Sequence, residues 1–92
     1  MAKRLKIEGC VQGVGYRASF AARAKELGLA GWVRNRRDGS VEAEVDGDAH
    51  AVAAIVAWSK HGPPTAKVSD VAVGDAEATA PLGSTFNILP TV

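Results

Sequence analysis

The chain has 92 residues, of which 47% are apolar, and this length predicts a single domain, residues 1–92, with one hydrophobic core. Eleven Lys and Arg against ten Asp and Glu give a formal net charge of +1, which argues against the broad basic surface of a nucleic-acid-binding protein. The single cysteine excludes an internal disulfide and favours the cytoplasm, and the sequence has no apolar run of about 20 residues that could span a membrane.

A glycine-containing loop separates the first predicted strand from the first predicted helix. Apolar and polar residues alternate from Leu5 to Val11, which predicts a strand with one buried face. Apolar residues then recur at helical spacing, which predicts a helix from Tyr16 to Leu27 that Gly28 ends in a left-handed conformation. Near the end of the strand, Cys10 is interpreted as a small buried side chain rather than a nucleophile.

A hairpin and a second helix are predicted next. Ala30 to Arg36 predicts a second strand, Asp38-Gly39 a tight turn, and the alternation from Val41 to Val45 a third strand. Asp46-Gly47-Asp48 supplies a turn and a helix N-cap. The apolar stripe that follows predicts a second helix, which ends at His61-Gly62-Pro63-Pro64.

The last predicted elements complete a recognisable order. Val68 to Val73 predicts a fourth strand and Phe86 to Leu89 a short final one, while Gly74 to Ser84 is interpreted as a loop. The order β-α-β-β-α-β is that of an α+β, ferredoxin-like sandwich. Its mixed, mostly antiparallel sheet carries two helices on one face, and the short C-terminal strand is added to it.

This topology is expected to bring two polar residues together. A right-handed crossover makes strands one and two parallel, with strand three antiparallel between them. The C-terminal ends of strands one and two then lie at the same edge, roughly 10 Å apart. Because Arg17 follows strand one and Asn35 lies near the end of strand two, both are predicted to face a shared pocket.

The loop from Gln12 to Arg17 has the composition of a phosphate-binding site. Glycines let backbone N–H groups approach an anion, a helix N-terminus favours negative charge, and an arginine adds a forked donor. The cation of Arg17 at a helix start is unfavourable unless an anion joins it. The backbone donors would be Gly13, Val14, Gly15 and Tyr16. A plain strand-to-helix turn would explain the glycines equally well.

Other functional classes fit the sequence less well. The run from Gly13 to Ala18 matches a dinucleotide-binding fingerprint, but Asp38 belongs to a tight hairpin and the chain is too short for two mononucleotide halves. Arg34, Arg36 and Arg37 form a basic cluster without the stacking aromatics of RNA-binding sheets. No nucleic-acid partner is therefore predicted, and the cluster is interpreted as attracting an anionic substrate.

Metal and nucleophilic catalysis are not indicated either. His50 and His61 are isolated, and no set of residues has the spacing of metal ligands. The serines lack a histidine base with an argued position beside them. The sequence therefore predicts no metal and no cofactor.

Four motifs in order along the chain resemble those of the acylphosphatase family. They are Gly9 to Arg17 (GCVQGVGYR), Leu27 to Asn35 (LGLAGWVRN), Asp38 to Glu42 (DGSVE) and Gly62 to Val68 (GPPTAKV). The resemblance spans nearly the whole chain. Tyr16 stands where many members have phenylalanine, and the tail from Phe86 onward matches weakly.

The resemblance implies a metal-independent hydrolase that splits small acyl phosphates into a carboxylate and inorganic phosphate. It implies that Arg17 binds the phosphate and that Asn35 positions the attacking water. The expected protein is a cytoplasmic monomer with no membrane partner. Two alternatives are a non-catalytic module that binds a phosphorylated ligand such as carbamoyl phosphate, and an interaction domain in which the loop is only scaffold.

Overall fold

The computed structural model describes residues 1–77 and 85–92 and shows the predicted order of elements. The elements are β1 (Ala2–Cys10), α1 (Tyr16–Glu26), β2 (Ala30–Asn35), β3 (Val41–Asp46), α2 (Ala49–Ser59), β4 (Lys67–Asp75) and β5 (Phe86–Ile88). Most ends of these helices and strands lie within one to three residues of the predicted ends, and α1 begins at Tyr16 as predicted.

The strands form one sheet in the order β4-β1-β3-β2-β5. β3 lies antiparallel between β1 and β2, β4 is antiparallel to β1, and β5 is parallel to β2. Val41 pairs with Ile7 on one side and with Asn35 on the other, so these three residues form a row across the sheet. The predicted ferredoxin-like class is confirmed, and the C-terminal ends of β1 and β2 lie at the same edge.

The helices and one face of the sheet enclose the core. Phe20 of α1 lies at its centre, with its ring 5.8 Å from that of Trp58 and 5.6 Å from that of Phe86. Each fully buried large apolar side chain contributes about 1.5–3 kcal/mol. The fully buried large apolar side chains are Leu5, Ile7, Val11, Tyr16, Phe20, Val33, Val41, Val45, Ile55 and Phe86.

Within the described residues, neither 11-residue helix is long and apolar enough to cross a membrane.

The two helices begin differently. The carboxylate of Asp48 caps α2 by accepting the N–H of Ala51 at 2.8 Å, as the sequence predicted. α1 instead begins after Gly15, which has a φ of 79° and no side chain to cap the first turn. The unpaired N–H groups of that turn are therefore available to something other than a capping side chain.

Cys10 is exposed, so the interpretation of this residue as a buried hydrophobe is wrong. It falls at every second position after Lys6 and Glu8, which are also exposed, and the alternation of the strand therefore outweighs the general tendency of cysteine to be buried.

The fourth strand extends further than its apolar pattern indicated. Gly74 and Asp75, assigned to a loop, continue β4 by pairing with Arg4 and Lys3 of β1, and Lys3 forms an ion pair with Asp75. Ala76 and Glu77 follow the strand without regular secondary structure, and the remainder of the predicted loop, residues 78–84, lies outside the described residues. Pairing with β1 thus extends β4 beyond the point where its local sequence pattern predicts the strand to end.

Candidate active site

The loop between β1 and α1 exposes backbone donors. Gly13 and Gly15 have φ angles of 74° and 79°, which side chains rarely tolerate, although a Cβ at either would meet nothing within 4 Å. Conformation rather than crowding therefore favours glycine. The N–H groups of residues 13–16 donate no hydrogen bond to any described residue. Backbone N–H groups arranged in this way at a helix N-terminus can bind an anion.

Arg17 is half-buried in the first turn of α1 and has no carboxylate within 4 Å among the described residues. By contrast, Arg4, Arg23, Arg34 and Arg36 each contact a carboxylate. The dipole of α1 adds positive potential where no acidic side chain offsets it. The side chain is therefore available to pair with an anion from solution.

Arg17 lines a surface depression of about 200 Å³. It is lined by Val11, Gly13, Gly15, Tyr16, Arg17, Ala18 and Ile88. Two larger depressions lie elsewhere. One, of about 360 Å³, is lined by the carboxylates of Glu8 and Asp38, and the other, of about 370 Å³, contains one lysine and one aspartate. Charge therefore favours the smallest of the three for a phosphate.

Asn35 is the last residue of β2, and its side-chain oxygen is unpaired. Oδ1 of Asn35 is buried and accepts no hydrogen bond from any described residue. A buried acceptor without a partner costs about 1–3 kcal/mol, which a water or a ligand would relieve. Asn35 does not line the depression that contains Arg17. The shared pocket of these two side chains thus stays a prediction.

Gln12 ties the loop to the hairpin that follows Asn35. Its Nε2 donates to the carbonyl oxygen of Arg36 at 2.7 Å and to that of Ser40 at 2.8 Å. These bonds connect the segment that leads to Arg17 with the residues just beyond Asn35. The sequence pattern predicted no role for Gln12. The one feature that could have drawn attention to it is a polar side chain between a buried valine and a glycine.

The segment after α2 supports the loop from the other side. Thr65 Oγ1 donates to the carbonyl oxygen of Val14 at 2.7 Å. Tyr16 donates its hydroxyl to the carbonyl oxygen of Ser59 at 2.8 Å, and burial raises the pKa of Tyr16. A Cβ on Gly62 would lie 2.7 Å from the Tyr16 ring, so only glycine fits there. Residues 62–65 thus help fix the start of α1.

Asp38 belongs to the hairpin turn, as expected. Its Oδ1 accepts the hydroxyl of Ser40 at 2.5 Å and the backbone N–H of Ser40 at 2.9 Å. These bonds lower the pKa of Asp38 to about 2. Since β2 and β3 are antiparallel, Asp38 does not end a parallel strand, which supports rejection of the dinucleotide site.

Most of the basic cluster is neutralised. Arg34 contacts Glu42 at 2.8 Å and stacks over Trp32, with 4.6 Å between the guanidinium carbon and the ring centroid. Arg36 contacts the same carboxylate at 3.3 Å. Burial opposes ionisation of Glu42, but these arginines lower its pKa. Of the three arginines only Arg37 is exposed, so the proposed attraction of substrate by the whole cluster is weakened.

The sheet topology defines an α+β, ferredoxin-like domain, and comparison with known proteins identifies its family. The acylphosphatase family model matches residues 3–88. An acylphosphatase from Azoarcus sp. is 56% identical over 90 residues, which cover 98% of this chain and 90% of that protein. The chain belongs to the acylphosphatase family, and the prediction that it is a hydrolase is confirmed.

Solved structures agree with this assignment. An acylphosphatase from Bacillus subtilis superposes with a TM-score of 0.85 at 38% identity, covering 96% of this chain and 97% of that one. Full-length HypF in a phosphate- and nucleotide-bound form superposes with a TM-score of 0.86 at 28% identity, covering 98% of this chain but only 12% of that one. The same domain therefore also occurs as a small part of a larger protein.

Proposed function

We propose that this chain hydrolyses acyl phosphates with its own side chains and backbone: Arg17 and the loop N–H groups hold the phosphoryl group, and Asn35 orients the attacking water. The observation that carries the proposal is the half-buried Arg17, unpaired among the described residues, beside the unpaired N–H groups in one depression. Family membership supports hydrolysis of acyl phosphates in general.

Binding of the phosphoryl group follows from the donors present. The guanidinium of Arg17 would donate two parallel hydrogen bonds to two phosphoryl oxygens. The N–H groups of Gly13, Val14, Gly15 and Tyr16 would donate to the oxygens that face the loop. Since these donors are fixed before substrate arrives, they stabilise the transition state without reorganising. The enzyme thus needs little beyond positioning and charge.

Attack by water requires one oriented acceptor. The buried Oδ1 of Asn35 would accept a hydrogen bond from the water and direct its lone pair at phosphorus. As the water oxygen bonds to phosphorus, the bond between phosphorus and the acyl oxygen breaks, and its electron pair leaves with the carboxylate. The water's proton passes to a phosphoryl oxygen of the substrate. The carboxylate is a good leaving group, so the reaction requires neither a strong general acid nor an enzyme nucleophile.

The same proposal describes a metal-independent, monomeric enzyme of the cytoplasm. In residues 1–77 and 85–92, no three His, Cys, Asp or Glu side chains are grouped as a metal site. The exposed thiol of Cys10 suits a reducing compartment.

The proposal is tested by turnover of benzoyl phosphate with and without a chelator. Arg17→Ala should lower kcat/KM by about 10³-fold and weaken inhibition by inorganic phosphate, because it removes the charged donor. Asn35→Ala should lower kcat by about 10²-fold and leave phosphate inhibition unchanged, because it removes only the water's acceptor. Near-normal turnover in either variant, or loss of wild-type turnover with chelator, would contradict the proposal.

A second candidate is a module that binds a phosphorylated ligand such as carbamoyl phosphate without turning it over. The structural similarity to a segment of HypF, a protein solved with phosphate and nucleotide bound, favours including it. Calorimetry with inorganic phosphate, run beside the turnover assay, separates the two. Phosphate binding without release of product would support the module instead of the enzyme.

A further inference from the structure

One exposed apolar side chain lies in the depression that contains Arg17. Four large apolar side chains are exposed among the described residues: Met1, Val73, Ile88 and Val92. Of these, only Ile88, 48% exposed, lines the same depression as Arg17. An apolar side chain exposed at the mouth of a charged site gains stability when an apolar ligand covers it.

The sheet register places Ile88 near both proposed functional residues. In the parallel pairing of β5 with β2, Ile88 lies opposite Val33, and the N–H of Leu89 donates to the carbonyl oxygen of Val33 at 2.9 Å. Asn35 is two residues further along β2 and lies on the same face as Val33. Strand spacing and rise put the Cα atoms of Ile88 and Asn35 about 8 Å apart.

The chemistry requires the acyl group to lie away from the water. In an in-line displacement the leaving oxygen and the attacking oxygen are on opposite sides of phosphorus. With the water at Asn35 and the phosphoryl oxygens on Arg17 and the loop, the acyl group points toward the remaining wall of the depression. Ile88 supplies the exposed apolar surface of that wall.

We propose that Ile88 contacts the acyl group of the substrate and makes the site prefer acyl phosphates with a sizeable apolar acyl group. This inference rests on the proposed function. Ile88 lines the depression and is 48% exposed, so the acyl group lies against Ile88 on one side and against solvent on the other. Because Ile88 contacts only one side of the acyl group, the site should favour apolar acyl groups by degree and still accept others.

The experiment compares benzoyl phosphate, whose phenyl ring would cover Ile88, with acetyl phosphate, whose single methyl group would not. Ile88→Ala should lower kcat/KM for benzoyl phosphate by about 5- to 10-fold and for acetyl phosphate by less than about 2-fold. Inhibition by inorganic phosphate should not change. Ile88→Met, which keeps apolar volume, should retain most of the preference.

Val73→Ala is the matched control. Val73 is 44% exposed, similar to Ile88, but lies on β4 at the opposite edge of the sheet from β5 and does not line the depression. It should alter neither substrate's kcat/KM.

Equal loss for both substrates in Ile88→Ala, or no loss for either, would overturn the inference while wild-type turnover still upheld the hydrolase. Failure of the wild type to turn over either substrate would instead reject the proposed function on which the inference depends.

Discussion

At the scale of single residues, we expect the proposed role of Arg17 to need the shape of its guanidinium as well as its charge. A lysine at this position would keep the charge but lose the planar fork that meets two phosphoryl oxygens. We expect Arg17→Lys to lower kcat/KM for benzoyl phosphate by about 10²-fold and to weaken phosphate inhibition. Steady-state kinetics measure both. A loss of only a few-fold would show that charge alone suffices.

Arg23→Lys is the control for that variant. Arg23 lies on the same helix, but it pairs with Glu26 at 3.1 Å on the exposed surface, where an ion pair contributes little. Its replacement by lysine should leave both kinetic parameters unchanged, so any general effect of the substitution on α1 would be detected.

The candidate functional residues could be predicted because they lie at ends of elements that local sequence patterns reveal. The residues that hold the loop in place by long-range hydrogen bonds could not be predicted in this way. Arg17 lies at a predicted helix start and Asn35 near a predicted strand end, so the sequence pattern located both. Gln12 and Thr65 act through bonds to residues 24, 28 and 51 positions away. Such contacts depend on loop conformations and on which carbonyl groups remain unpaired, and neither is encoded in periodicity.

At the scale of elements, the loop after β1 and the β2–β3 hairpin are predicted to depend on each other through Gln12. Gln12→Ala leaves the carbonyl oxygens of Arg36 and Ser40 without this donor, so we expect about 1–3 kcal/mol less stability. Because the connection between loop and hairpin is lost, kcat should fall by about 10-fold or more. Urea unfolding and steady-state kinetics check the two effects.

Gln12→Glu separates the donor from the volume of the side chain. Glutamate keeps the size but, when ionised, presents only acceptors to two carbonyl oxygens, so it should be at least as damaging as alanine. If Gln12→Glu behaved like the wild type, packing rather than hydrogen bonding would hold the loop.

The elements themselves were predictable to different degrees. Strands with one buried face and helices with an apolar stripe follow directly from alternation and helical spacing, and Gly28, with a φ of 71°, ends α1 as expected. The second strand ends at Asn35, where the hairpin turn begins. The N–H of Arg36 closes that turn by donating to the carbonyl oxygen of Ser40. The end of β4 depends on its partner β1, which no local pattern reveals.

At the scale of the whole molecule, the position of β3 between β1 and β2 followed from the sequence of elements and the handedness of crossovers. The parallel pairing of β5 with β2 did not, because a three-residue strand carries too little pattern to choose its neighbour. The same limit hid Ile88, whose position in the depression depends on that pairing.

The stability of the molecule should decline at alkaline pH through Tyr16. Burial raises the pKa of Tyr16 above its ordinary value of 10.0, so the folded state holds the phenolic proton after the unfolded chain releases it. The stabilisation is complete below about pH 10 and is lost as the pH rises further. Urea unfolding at about pH 7 and about pH 11 should show this fall in the wild type.

Tyr16→Phe is the matched variant for that prediction. It should lose about 1 kcal/mol at neutral pH, where the bond to Ser59 is missing, and should decline less between the two pH values. An equal alkaline decline in both proteins would show that Tyr16 is not its cause.

The central position of β1 also determines how this chain reaches its native state. β1 pairs Ala2 with Asp46 and Lys3 with Asp75, and β2 must wait for Phe86 before its outer edge is covered. Large loops have to close before these pairings stabilise anything, so folding should be slow for a chain of this size, on the order of milliseconds to seconds. β1 is synthesised before the strands that pair with it, and the end of its partner β4 is made some seventy residues later. During synthesis, therefore, the glycine loop is present long before the domain that orders it.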